Sequence, residues 1–196
     1  MNLRPFSRKT AVGDVSLNGQ HSNVSSKMDN IIIRDERNSD IDVISDITAA
    51  AFHDHPHSQH TEQFVIEALR RAGALTISLV AQWGDEVVGH VAFSPVIMSD
   101  GSREWYGLGP VSVAPAHQRQ GIGQALLLEG LRLLRARGAQ GCVLVGEPGY
   151  YHRFGFRRLP NLGVDDVPAK YVLALPLGTD EPSGTAVFHA AFATRG

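Results

Sequence analysis

LGPVSVAPAHQRQGIGQALLLEGLRLLRARG, Leu108 to Gly138, is the stretch on which the reading of this chain turns. It reads as a strand, a basic glycine-containing turn and a long helix. The strand covers Leu108–Val113, and Pro115 closes it because proline has no N–H to give a ladder. The helix begins near Ile122 and repeats Leu126, Leu127, Leu131 and Leu134 on one face, the spacing of a buried stripe. Arg132, Arg135 and Arg137 crowd its last turns, where cations suit the helix dipole, and Gly138 follows as a natural terminator. Between strand and helix lies Gln118-Arg119-Gln120-Gly121-Ile122-Gly123. Such a turn aims unpaired backbone N–H groups outward at a helix N-terminus, and its glycines let an anion approach without a Cβ in the way. The expectation is a phosphate site.

Three glycine turns compete for that site. A dinucleotide fingerprint needs a third glycine where Leu126 stands, and no G-x-x-x-x-G-K-[ST] run occurs anywhere. What remains is [QR]-x-x-G-x-[GA] after a strand ending V-x-V-x-P. Val111-Ser112-Val113-Ala114-Pro115 followed by Gln118 to Gly123 resembles the acyl-CoA pyrophosphate loop of the GNAT superfamily of N-acetyltransferases. The resemblance implies acetyl-CoA as co-substrate, with its pyrophosphate on the N–H groups of Arg119 to Gln124 and Gln118 at the loop entrance. It assigns Val111, Ser112, Val113, Gln118, Arg119, Gln120, Gly121, Ile122, Gly123 and Gln124 to the coenzyme.

Composition narrows the classes. At 196 residues the chain is long enough to bury a real core. A net charge of −2 and a pI near 6.5 argue against a general nucleic-acid or anionic-membrane binder. The single cysteine, Cys142, excludes an intramolecular disulfide framework and sits in the apolar run Cys142–Val145, where it reads as a small hydrophobe. No apolar run approaches the ~20 residues of a membrane span, and no secretory core precedes residue 30. The expected setting is reducing and cytoplasmic.

Residues 1–29 are polar, with no helical or strand period, and read as a flexible extension; residues 30–196 read as one N-acetyltransferase domain. Met28 offers an alternative start. Arg4, Ser7 and Arg8 fit a transit peptide in composition but lack its amphipathic stripe. Expected elements are a strand at Ile31–Arg34, helices at Asp40–Phe52 and Glu62–Arg71 (Thr61 as N-cap), and a hairpin of Ile77–Gln82 with Glu86–Val96 about Gly84-Asp85. A strand at Trp105–Val113 and the long helix come next, then a buried strand at Gly141–Val145 and a short helix at Tyr150–Phe154. Phe156–Leu159, Tyr171–Leu175 and Ala186–Ala190 read as further strands. The order predicts an α/β chain of the mixed α+β kind: a central twisted mixed sheet with helices on both faces.

Gly107, Gly109 and Pro110 interrupt the central strand. Glycine in a strand marks a bulge or close backbone approach, and proline removes a ladder bond, so the strand should part from a neighbour there. The bland reading is that the glycines only relieve packing. In the resembling superfamily the equivalent strand bulges and splays from the strand after the long helix, and the pantetheine arm enters the gap. The two splayed central strands here would be Leu108–Val113 and Gly141–Val145.

Gly146-Glu-Pro-Gly-Tyr-Tyr-His-Arg-Phe-Gly-Phe156 follows the buried strand. Its Tyr-x-x-x-Gly-Phe ending is similar to the superfamily's distal motif, whose tyrosine lies near the coenzyme sulfur and maps onto Tyr151. The YYHRFGF form, its G-E-P-G lead-in and the aromatic segment Phe188–Phe192 also resemble one branch of predicted bacterial acetyltransferases. A phenol of pKa ~10 is protonated at neutral pH and can donate to a departing thiolate. A backbone N–H at the splayed strand, that of Val113 or a neighbour, could hold the oxyanion. A packed aromatic with a satisfied hydroxyl is the competing reading of Tyr151. The base is less legible: Glu104, His90, Glu147 and a water chain all qualify.

His53, His55, His57 and His60 lie within eight residues. Pro56 forces an extended loop, and neither HExxH nor a cysteine partner is present, so a solvated loop is preferred to a metal site and no metal is expected. In the superfamily this loop often lines the acceptor pocket, which leaves substrate contact or a base role open. Trp83 and Trp105 read as packing residues.

The leading expectation is acetyl transfer from acetyl-CoA to a primary amine by direct attack, with Tyr151 as general acid and no covalent enzyme intermediate. A non-catalytic acyl-CoA-binding or regulatory module is the rival, and a nucleotide-binding protein a third reading. The acceptor, a small-molecule or peptide amine, is not specified by the fold. The sequence is silent on oligomeric state and leaves a homodimer open.

Overall fold

The computed structural model describes residues 31–54 and 60–194. The extension at 1–29, His55 and His57 lie outside the described residues. The elements are β1 (Ile31–Asp35), α1 (Ile41–Phe52), α2 (Glu62–Arg71), β2 (Ile77–Trp83), β3 (Glu86–Pro95), β4 (Ile97–Met98), β5 (Trp105–Val113), α3 (Ile122–Ala136), β6 (Gly141–Val145), α4 (Pro148–Tyr151), β7 (Leu162–Gly163), β8 (Val172–Pro176) and β9 (Gly184–Val187). Six strands form one sheet in the order β1-β2-β3-β5-β6-β8. Every neighbouring pair is antiparallel except β5 and β6, so the sheet is mixed. A small sheet, β4-β9-β7, lies apart from it.

Alternation along β2 sorts the two faces of the sheet. Leu79 and Ala81 join the core under α3, whereas Val80 packs with Ile44 of α1 and Ile66 of α2. The predicted stripe of α3, Leu126, Leu127, Leu131 and Leu134, is buried as expected. Gly130 lets the helix press onto β3: a Cβ there would fall within 2.2 Å of the Phe93 ring. Helices therefore cover both faces, α3 on one and α1 with α2 on the other. No helix among the described residues is long and apolar enough to cross a membrane.

The central break is present and has two parts. Val91 pairs Val111 and Phe93 pairs Leu108, so two steps on β3 match three on β5. The extra residue lies at Gly109-Pro110, opposite Ala92, and it is a β-bulge. On the other edge β5 pairs β6 only at Trp105–Gly141, Tyr106–Cys142 and Gly107–Val143. Beyond that the strands part, each held by its outer neighbour: β5 by β3 as far as Val113, β6 by β8 as far as Val145. Packing accounts for Gly107 as well, because a Cβ there would lie 2.6 Å from the Phe188 ring. Both readings of these glycines thus apply, at different residues.

Some expectations differ from the structure. Phe156–Leu159 is no strand: Phe156 and Leu159 anchor a loop in the core, and only Arg157 makes a single bridge, to Ala174. The strand expected at Ala186–Ala190 runs instead over Gly184–Val187, since Phe188 leaves the ladder to cover Gly107. Thr61 stands at the N-cap position of α2 without a side-chain cap bond. The helix expected at Tyr150 starts at Pro148, whose ring suits a first turn.

Candidate active site

The parted strands create a wedge-shaped gap in the middle of the sheet. Ala114 N–H donates to Val88 O at 2.9 Å, which fixes the alternation along β5. Ser112 and His90 are then a hydrogen-bonded pair, and Val111 and Val113 turn their backbone groups away from β3 into the gap. Ser112 has its own partner elsewhere: its buried hydroxyl meets that of Thr48 in α1 at 3.1 Å. Of the three residues assigned to the coenzyme on this strand, Val111 and Val113 face the gap and Ser112 ties the strand to α1.

At the foot of the gap stands the N-terminus of α3. Gly121 has φ +85° and Arg119 φ +59°, so the chain doubles back through left-handed conformations. The first helical bond runs from Ala125 N–H to Gly121 O at 2.9 Å. The N–H groups of Ile122, Gly123 and Gln124 therefore lack helical acceptors, and no side chain caps them. Gln118 braces the loop by donating Nε2 to Val113 O at 3.1 Å, and Gln120 does the same to Ala116 O at 3.3 Å. The turn is thus braced by its own side chains, with unpaired donors at the positive end of the helix dipole.

The opposite lip is α4. The Tyr151 ring lies against Gly146, where a Cβ would come within 2.5 Å of it, and meets Phe156 and Tyr150 edge-on at 6.0 and 4.9 Å. Its hydroxyl has no hydrogen-bond partner among the described residues. Burial, with smaller contributions from Tyr150 and Cys142, pushes the phenol up to about 12, so it stays protonated through the neutral range. Tyr150, which the sequence reading passed over, reaches across the gap. Its hydroxyl stands 3.6 Å from the Cβ position of Gly123, beside Val111 and Val113, and Arg153 sits over its ring at 4.9 Å. The doubled tyrosine was the available signal.

The other residues singled out by sequence fall as follows. Glu104 accepts a hydrogen bond from Tyr106 at 2.9 Å beside the closed end of the gap, while Glu147 is exposed at the open end. His90 is fully buried on β3. His53 and His60 have ring centroids 6.2 Å apart. Burial pushes the Cys142 thiol far up, out of nucleophilic range. Trp105 packs on Gly141 and Trp83 on His117.

A split parallel pair above an uncapped helix start, within a mixed sheet covered on both faces, places the chain in the acetyltransferase class of α/β folds. Residues 32–159 match the family model described as "Acetyltransferase (GNAT) domain", and the chain belongs to this family. The chain is 38% identical over 96 residues to the uncharacterized N-acetyltransferase YhbS of Escherichia coli K12; this covers 48% of the chain and spans 58% of that relative's length. Among solved structures it resembles a GNAT family acetyltransferase from Brucella melitensis in complex with acetyl-CoA. That likeness has 47% identity and a TM-score of 0.74, over 83% of this chain and 97% of the other. It also resembles the Escherichia coli YhbS structure in complex with CoA, at 28% identity and a TM-score of 0.77, over 85% and 94% of the two chains.

Proposed function

We propose that the chain transfers an acetyl group from acetyl-CoA to a primary amine by direct attack, with Tyr151 as general acid, within one domain spanning residues 30–196 preceded by an extension at 1–29. The observation that carries the reading is the gap itself. It joins the uncapped start of α3, whose N–H groups suit an anion, to free backbone donors on β5 and to a half-buried, protonated phenol on α4. The two solved relatives in complex with acetyl-CoA and CoA support the choice of coenzyme.

Each part has a task in the chemistry. The N–H groups of Arg119 to Gln124 take the pyrophosphate. The pantetheine arm runs along Val111 and Val113, completing the ladder that β6 leaves open. When the amine attacks the thioester carbon, a donor such as the Val113 N–H holds the charge gathering on oxygen. As the C–S bond breaks, the Tyr151 hydroxyl points a proton at the leaving thiolate.

The test is steady-state release of free thiol from acetyl-CoA with a panel of amines: a polyamine, an aminoglycoside, a peptide with a free N-terminus and a lysine peptide. Turnover with at least one amine supports the reading. Tight CoA binding with no turnover across the panel points to an acyl-CoA-binding module, and competition by ATP or NAD against CoA points to a nucleotide site.

A further inference from the structure

Tyr150 is held on three sides and left bare at its tip. Its ring meets Tyr151 edge-on at 4.9 Å and tilts against Phe154, four residues on, at 5.5 Å. The Arg153 guanidinium lies over its face at 4.9 Å. Contacts of this kind fix the direction of a ring. Successive residues leave a helix about 100° apart. Tyr151 turns onto Gly146, and Tyr150 turns out of α4 and across to α3. The residue is 37% exposed, and its hydroxyl has no hydrogen-bond partner among the described residues, so it is open to a ligand.

The tip ends at the first turn of α3. The hydroxyl oxygen stands 3.6 Å from the point where a Cβ on Gly123 would lie. Val113 Cγ2 and Val111 Cγ1 lie 3.6 and 3.8 Å from the same point and offer the hydroxyl no bond. Helical Cα–Cβ bonds tilt towards the N-terminus, so this point is at the same end of α3 as its uncapped N–H groups. The Gly123 nitrogen is about 2.5 Å from its own Cβ position, which puts the phenol oxygen at most about 6 Å from that nitrogen. An anionic oxygen accepting from an N–H at ~2.9 Å and from an O–H at ~2.7 Å nearly spans this distance, and a second oxygen on the same phosphorus extends the reach.

We propose that Tyr150 is a coenzyme-binding residue whose hydroxyl donates to the diphosphate of CoA from the α4 side of the gap, opposite the N–H groups of α3. The inference rests on the coenzyme assignment made above and adds to it a ligand from the other lip. Burial pushes the Tyr150 phenol up, with Arg153 working against it, and the hydroxyl keeps its proton at neutral pH and meets an anion as a donor. Arg153, stacked on the ring, brings positive charge to the same side, and Arg119 brings it in the loop before α3. Two adjacent tyrosines thereby divide the work: Tyr150 serves affinity and Tyr151 serves chemistry.

The test is calorimetric titration of the full chain and of Tyr150→Phe with CoA, and with pantetheine, which lacks the diphosphate, in competition against CoA. The hydroxyl bonds to nothing among the described residues, so Tyr150→Phe should fold and melt as the wild type does. Its CoA affinity should fall roughly 10- to 100-fold, the loss expected of a hydrogen bond to a charged acceptor. Pantetheine affinity should stay within about twofold. With an amine that turns over, kcat at saturating acetyl-CoA should stay within about threefold while KM for acetyl-CoA rises, the reverse of the split expected for Tyr151→Phe. A CoA affinity within about twofold of wild type overturns the proposal. So does an equal loss for CoA and pantetheine, which would put the hydroxyl on the arm instead of the diphosphate. A wild type that binds CoA but acetylates no amine refutes the transfer reading alone, and the same titrations still decide this one; a wild type that binds no CoA refutes both.

Discussion

Replacing Tyr151 by phenylalanine deletes one oxygen and leaves every packing contact of the ring. Its seat on Gly146 and its edge contacts with Phe156 and Tyr150 do not involve the hydroxyl. No hydrogen bond is lost among the described residues, so thermal stability should hold or rise slightly. The effect on chemistry has a calculable sign. A phenol held at about 12 keeps its proton against a thiolate of pKa ~8.5, so complete transfer alone is uphill by roughly 5 kcal/mol. Tyr151 therefore works by donating into the breaking C–S bond while the nitrogen proton comes back to it, and general acid catalysis of this kind contributes roughly 100- to 1,000-fold. We expect kcat to fall by that factor, about 2.7–4 kcal/mol of barrier, with CoA affinity within about twofold. The assay is single-turnover thiol release beside calorimetric titration of CoA. A kcat within about threefold of wild type would refute the role, and so would a fall in kcat matched by an equal loss of CoA affinity.

Gly121→Val should remove measurable CoA binding, because a β-branched residue at φ +85° is strained by roughly 1–2 kcal/mol and its side chain intrudes on the anion seat; retained calorimetric binding would sink the placement. Gly146→Ala should lower both stability, by about 1–3 kcal/mol, and kcat, since the new methyl would sit 2.5 Å from the Tyr151 ring; a melting curve and the thiol assay read the two effects. On the alkaline side the raised Tyr151 pKa contributes stability that is complete below pH 10.0 and lost as pH climbs towards about 12, at most ~2.7 kcal/mol, visible as a shift of the urea midpoint that Tyr151→Phe abolishes. On the acid side the signs reverse. His90 and Glu36 both have lowered values, so their contributions are present above 6.5 and 4.5 respectively and fade as pH falls; chemical unfolding between pH 7 and 4 should weaken in that order.

Periodicity made the scaffold legible. The leucine stripe of α3 and the Gly-Pro interruption of β5 are local signals, and both carry their structural meaning in a few adjacent residues. Phe156–Leu159 misled because its apolar ends suggest a short strand, whereas a spacing of three puts Phe156 and Leu159 on opposite faces of a strand, and both anchor a loop in the core instead. Phe188 left its strand for a reason no window contains: it fills the space over Gly107, 81 positions away. The polar group about His90 draws Glu36, Arg70 and Ser78 from three separate elements, so its members look unrelated until the sheet assembles. Tyr150 is similar, since its approach to Gly123 exists only because β5 and β6 part. Residues that act through neighbours in sequence could be read; those that act through neighbours in space could not.

The early end of the β5–β6 ladder has a consequence for how the protein survives its own design. Unpaired backbone on a strand is normally an outer-edge hazard, open to any passing chain of similar habit. Here the unpaired backbone groups of Val111 and the N–H of Val113 are in the centre of the sheet, at the narrowing throat between two anchored strands, while Val113 O is taken by Gln118. A foreign strand would need more width than the wedge offers near its apex, whereas a thin linear arm bearing amide groups can lie along it. The fold thereby keeps the adhesive capacity of an edge while screening its customers by thickness.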